Sequence, residues 1–192
     1  MEIYLAIIAF LAPPTLAIWI PASYFARHNY GRLAARGEVR RALFKAARNR
    51  RWNWILGYIN SQLSLPDPTL RPLLATAAQR LIDLQSALGP ENPLPAPLRQ
   101  SAQTQINAAF DALFHACGRL SIVGKQRVAA DALRDEIDLE IANLQQLLEA
   151  TEAASVELAR LTMLSGRDKA PAVSAQFGQL GWAAGELRRL EI

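Results

Sequence analysis

The sequence predicts an all-α protein in three consecutive parts: a proline-kinked single transmembrane helix, a basic amphipathic helix, and an antiparallel helical bundle or long helical hairpin. Three observations carry this. Ile3 to Ala26 holds no charged side chain. Nine basic residues then crowd between Arg27 and Arg51 against a single acid, Glu38. Beyond residue 66, leucine, isoleucine and alanine recur at steps of three and four, and no alternating strand pattern occurs. The expected divisions are a transmembrane anchor at 1–26, a basic juxtamembrane helix at 27–65 and a cytoplasmic helical bundle at 66–192.

The first part reads as an anchor because of its length. As a helix, the uncharged stretch would be about 36 Å long, enough to cross a hydrocarbon core of roughly 30 Å. A cleaved signal is a poorer reading. The region ahead of the apolar run is Met-Glu, without positive charge, and PASYFARH offers bulky residues where a cleavage site needs small ones. A soluble core helix is poorer still, because Pro13 and Pro14 interrupt the most apolar stretch, and an interior proline costs a water-exposed helix about 3 kcal/mol. Inside a membrane the freed carbonyls find other partners. Trp19 and Tyr24 fall where an interfacial aromatic belt would lie. The basic flank then places the carboxyl side in the cytoplasm by the positive-inside rule, and the amino terminus outside. The expected location is the inner membrane of a bacterial cell, single-pass; the Ala/Leu/Arg-rich composition suggests that source.

The second part is the run GRLAARGEVRRALFKAARNRR, from Gly31 to Arg51. At 100° per residue, Leu33, Val39, Ala42, Leu43 and Ala46 share one face, and Arg40, Arg41, Lys45, Arg48 and Arg51 share the other. Trp52 and Trp54 follow at once. Arg32, Arg36, Arg40, Arg41, Lys45, Arg48, Arg50, Arg51, Trp52 and Trp54 are the candidate binding residues. Their pattern suits a helix lying on anionic lipid headgroups, where each basic residue contributes about 1 kcal/mol. A protein partner or a pure topology signal is the plainer alternative. Nucleic acid is disfavoured, since from Trp52 onward fifteen acids outnumber twelve bases and no nucleic-acid motif surrounds the patch.

The third part is helices with punctuation. SLPDPTL breaks the chain at 64–70, with Asp67 or Thr69 as a cap. Leu70, Leu74, Ala77, Leu81, Leu84 and Leu88 then form a heptad-like, coiled-coil-type seam ended by Gly89-Pro90. GPENPLPAP is a stiff connector. Ile106, Phe110, Leu113, Cys117 and Leu120 form the next seam, with helix failure expected between Gly118 and Gly124. From about Gln126 to Leu164 neither proline nor glycine occurs. Ile137, Ile141, Leu144 and Leu148 make one seam there, and Leu147, Ala154, Leu158, Leu161 and Leu164 carry the apolar face onward. Val173, Phe177, Leu180, Ala184 and Leu187 mark a last helix. Residues 64–192 are expected to fold without the rest.

Chemistry leaves few marks. Cys117 is the only cysteine, which excludes an intramolecular disulfide. His115 and Cys117, two apart on a helix, point about 200° apart and chelate one metal poorly. No Glu-x-x-His, phosphate-cradling glycine loop, Gly-x-Ser-x-Gly or Cys-x-x-Cys occurs. Asp131, Asp135 and Asp138 line one helix face, with Glu136 and Glu140 in a second row. They read as a solvated surface, or as an acidic face turned toward the Arg-rich helix. No catalytic residue, metal site or cofactor is expected. The expected role is a non-enzymatic, membrane-anchored scaffold, tether or accessory subunit that binds protein partners or a larger membrane complex, with self-association open to it. The alternative is a regulatory effector that senses anionic lipid, or less readily nucleic acid, through the Arg-rich helix.

Overall fold

The structure, a computed structural model, describes residues 29–89, 92, 94–126, 132–164 and 170–189. The expected anchor at 1–26 lies outside these residues. Among the described residues the protein is helical without strands, and no helix is long and apolar enough to cross a membrane.

A short helical stretch at 29–35 leads into α1 (Val39–Arg48) and α2 (Trp52–Ser61). Four longer helices follow: α3 (Leu70–Ala87), α4 (Ala96–Lys125), α5 (Arg134–Leu164) and α6 (Ala170–Arg189). Two turns of the same kind set the directions of the first elements. At Gly37, φ is 87°, and the amides of Glu38 and Gly37 donate to the carbonyls of Leu33 and Ala34. This left-handed reversal satisfies the last carbonyls of a helix, and glycine enters it without steric penalty. At the end of α1 the pattern repeats, Arg51 N–H donating to Ala46 and Arg50 N–H to Ala47. Here the left-handed residue is Arg50, with φ 53°. A side chain in that region costs about 1 kcal/mol. Arg50→Gly is therefore expected to leave stability unchanged or raise it by up to about 0.6 kcal/mol, once the roughly 0.4–1 kcal/mol of extra unfolded-state freedom of glycine is subtracted. A urea midpoint that falls instead would show that the Arg50 side chain holds the turn.

The four long helices form a ring in the order α3, α4, α6, α5, with α4 and α5 on a diagonal that they share only slightly. Directions follow from which residues meet. Gln105 lies against Gly181, and Asp111 reaches Arg188, so α4 and α6 run the same way. Arg119 of α4 reaches Glu140 near the start of α5, which therefore runs opposite to both. Arg80 to Ala87 of α3 faces Ser155 to Ala159 of α5, so these two are parallel. The bundle thus mixes parallel and antiparallel neighbours instead of being antiparallel throughout. The α5 helix packs along α3 and α6 and does not stand out as an arm.

The expected seams of α3, α4 and α6 are buried residue for residue. Three expectations change. The α4 helix runs through Gly118 and Gly124 to Lys125. Both glycines mark close approaches, not breaks. A Cβ on Gly118 would lie 3.5 Å from the Arg40 Cβ, and one on Gly124 would lie 2.7 Å from backbone atoms of Leu65. Secondly, α3 has no side-chain cap: Asp67 accepts from the N–H and hydroxyl of Thr69 just before the helix, which holds its carboxyl below the usual range. Thirdly, the α5 seam is Ile137, Glu140, Leu144, Leu147, Thr151, Ala154 and Leu158, with an acid fully buried where an apolar residue was expected. Ile141 and Leu148 are only partly buried, and the continuation to Leu161 and Leu164 lies outside the described side chains.

The α1–α2 hairpin closes over the bundle. Packing joins α1 to α4 and α2 to α3, and residues of both belong to the same hydrophobic cluster as the long helices. Arg71 of α3 donates to the carbonyls of Ile59 and Leu63, tying off the end of α2. Residues 64–192 are therefore not a complete core. Without the hairpin, the face of α4 carrying Phe110, Phe114 and Cys117 would lose its cover.

Candidate functional site

The amphipathic pattern of α1 is real, but its apolar face meets protein. Val39, Ala42, Leu43 and Ala46 are buried, and Leu33 packs against the same core. Phe44 stacks edge-on to Phe114 with ring centres 5.4 Å apart. A helix lying flat on lipid must bury that face in the acyl region; here α4 occupies it. The two tryptophans are corrected in the same way. The Trp52 ring stacks on Phe110 at 5.3 Å and the Trp54 ring on Tyr58 at 5.2 Å, both half-buried in a row of aromatic contacts that includes Tyr30. Burial, and to a lesser degree the neighbouring Cys117, pushes the Tyr58 hydroxyl pKa up.

What remains outside is the cationic face. Arg32, Arg36, Arg40, Arg41, Lys45, Arg48, Arg50 and Arg51 are all exposed. Arg41 pairs with Glu38 at 2.6 Å and Arg40 with Asp111 at 3.3 Å. The other six have no ion pair among the described residues. The arrangement presents fixed positive charge on a helix whose orientation the core holds.

The fold adds bases that the sequence reading missed. Asp111 of α4 holds Arg40 on one carboxylate oxygen and Arg188, from the end of α6, on the other at 3.0 Å. His115 lies 3.3 Å from the same carboxylate and contacts the Asp111 carbonyl. Lys125 reaches toward Gly37. Only the paired arginines at 188 and 189 hinted at this in the sequence. The expected apposition of the acidic stretch of α5 with the Arg-rich helix is not seen. The acid that meets α1 is Asp111 of α4, while Asp135 and Asp138 are solvent-exposed and Asp131 lies outside the described residues.

Glu140 has a different place. Fully buried, it accepts from Arg119 Nη2 at 2.7 Å and 3.1 Å, and the same nitrogen donates to the Leu187 carbonyl at 2.7 Å. One guanidinium thus joins α4, α5 and α6. Desolvation raises the Glu140 carboxyl above its ordinary value, with Arg119 pulling the other way. Burial, with the nearby Glu140 charge, pushes the Cys117 thiol up to about 12 and leaves it inert. No group of three or more metal-ligating side chains occurs among the described residues.

Comparison of the chain with known families, with curated proteins and with solved structures finds no match.

Proposed function

We propose that this protein is a membrane-apposed helical scaffold or tether, in which the outward face of α1 rests on anionic lipid headgroups while the bundle offers its other faces to protein partners. One observation carries the reading: α1 uses its apolar face inside the core and turns Arg40, Arg41, Lys45 and Arg48 outward, with Arg32, Arg36, Arg50 and Arg51 exposed on the turns and the short helical stretch beside it. Attraction to phosphate-rich surfaces is what such a face supplies. Lipid is favoured over nucleic acid because the uncharged stretch Ile3 to Ala26 immediately precedes the patch and the chain beyond Trp52 is net acidic. The apolar stretch would hold the protein at the bilayer, with the bundle on the cytoplasmic side. Trp182, 60% exposed on α6 between Gly178 and Gly185, offers an aromatic anchor to a protein partner.

Because α1 is docked, its contribution should be electrostatic and free of insertion. Binding to vesicles should rise with anionic lipid and fall with salt, since exposed charges are screened over about 8 Å at physiological ionic strength. Replacing Arg41, Lys45, Arg48 and Arg51 with glutamine should weaken binding by up to about 4 kcal/mol, at roughly 1 kcal/mol for each charge. Flotation of residues 27–192, which retain the whole described core, checks this. Binding indifferent to salt and to the four substitutions would remove the lipid from the proposal and leave α1 as a topology signal or a protein contact.

A further inference from the structure

At the reversal between α1 and α2 the basic face is concave. Tyr30, Arg50, Arg51, Trp52, Asn53 and Trp54 line a cleft of about 290 Å³. We infer that this cleft binds a single phosphate group carried on a small organic headgroup. The inference rests on the reading of α1 as an anion-facing surface and names the chemistry of a formed cleft at its end.

The lining is rich in hydrogen-bond donors and contains no carboxylate. Arg50 and Arg51 bring two guanidiniums with no ion pair among the described residues. Guanidinium forks match phosphate oxygens two at a time. The Tyr30 hydroxyl accepts from Asn49 Nδ2, so its own proton is directed elsewhere, and no acceptor for it occurs among the described residues. Tyr30 is 1% exposed, and its ring lies against Trp54. Asn53 adds an amide, and α2 begins without a side-chain cap, leaving its first N–H groups at the same place. The left-handed φ of Arg50 keeps the two arginines at this turn at a cost that glycine would not incur.

Size and walls narrow the ligand. At about 30 Å³ per water, the space has room for a phosphate with a few further heavy atoms. The indoles of Trp52 and Trp54 are fixed by Phe110 and Tyr58, so they form a rigid apolar wall beside the donors. A phosphomonoester exposes more oxygen to the two forks than a diester does. The same chemistry could come from a lipid headgroup or from a soluble phosphate ester.

The full chain is tested on vesicles of matched surface charge containing either phosphatidic acid or phosphatidylglycerol, and separately by titration with glycerol 3-phosphate without lipid. Phosphatidic acid should be bound roughly tenfold more tightly, the scale of one lost charged hydrogen bond. Arg50→Gly with Arg51→Gln should abolish that preference, and Tyr30→Phe, which keeps the ring, should reduce it. Arg41→Gln with Arg48→Gln removes as much charge elsewhere and should lower binding to both lipids while keeping the preference. Arg51 is exposed and makes no ion pair among the described residues, so Arg50→Gly/Arg51→Gln should melt no lower than the parent, and loss of preference cannot be loss of fold. Saturable binding of glycerol 3-phosphate that needs Arg50 and Arg51 supports the site with a soluble source; a preference confined to vesicles supports it with a lipid source. A parent with neither a preference for phosphatidic acid nor saturable binding of glycerol 3-phosphate, or a preference or binding that survives in Arg50→Gly/Arg51→Gln, overturns the cleft. In either case the salt-dependent binding to phosphatidylglycerol reports separately on the broader lipid reading.

Discussion

Replacing Arg119 with methionine will lower the stability of the fold by about 3–5 kcal/mol, because it strands a carboxylate in the core. Glu140 has no exposed surface, and its two oxygens face one guanidinium nitrogen that also closes on the Leu187 carbonyl. Without Arg119, the charge loses its partner and the α6 carbonyl loses its donor. The double variant Arg119→Met/Glu140→Leu should recover most of the loss, since an apolar pair of similar volume is often as stable as a buried ion pair. A pH signature accompanies it. The folded state raises the Glu140 carboxyl above its ordinary 4.5, so between that value and the folded one the native protein holds a proton that the unfolded chain has released. Stability contributed by this group therefore falls as pH rises through that window and is level above it. Methionine at 119 removes the counter-charge, raises the carboxyl further and extends the fall to higher pH. Urea midpoints of parent, Arg119→Met and the double variant at several pH values check both points. A single variant that unfolds with the parent would mean that Glu140 is already neutral or reached by water.

Phe114→Ala should cost about 3–5 kcal/mol, the range for emptying a large aromatic site in a core. Phe114 has no exposed surface, meets Phe44 of α1 edge-on, and lies 5.7 Å from the Phe110 ring, which in turn stacks on Trp52 of α2. The cavity would open under the α1–α2 hairpin. If hairpin and bundle are one core, the urea midpoint should drop with an unchanged slope, because the slope follows the surface exposed on unfolding. A loss below 1 kcal/mol, or a second transition at low urea, would show a hairpin only loosely attached.

Local repetition made most of this architecture legible. Seams such as Leu70, Leu74, Ala77, Leu81 and Leu84 repeat within one helix, so each was readable without knowing its neighbour. The same logic showed that α1 has a face to bury. It could not show what covers that face, because Phe110, Phe114 and Cys117 lie some seventy residues away in the chain. Lipid and protein satisfy an identical pattern. Glu140 was misplaced for a related reason. In a row of acids it resembles Asp135 and Asp138, and only Arg119, on another helix, distinguishes it. Gly118 and Gly124 look like helix breakers until Arg40 and Leu65 are seen against them. Of the candidate site, the eight bases were legible as a charged face. The sequence could not show that Trp52 and Trp54 stack on Phe110 and Tyr58, and Arg188 joins the surface only through Asp111.

Whether α1 belongs to the core or serves as a separable lipid-seeking helix is measured most directly by native-state hydrogen exchange of its amides, with and without anionic vesicles. Docked as described, the amides of Leu43 and Ala46 should open only with global unfolding, at the same free energy as those of Leu113 and Phe114, and vesicles should leave that value unchanged or raise all four together. Amides of α1 that open several kcal/mol more easily than those of α4, and gain protection on vesicles while α4 does not, would contradict the shared core and return the apolar face of α1 to the membrane.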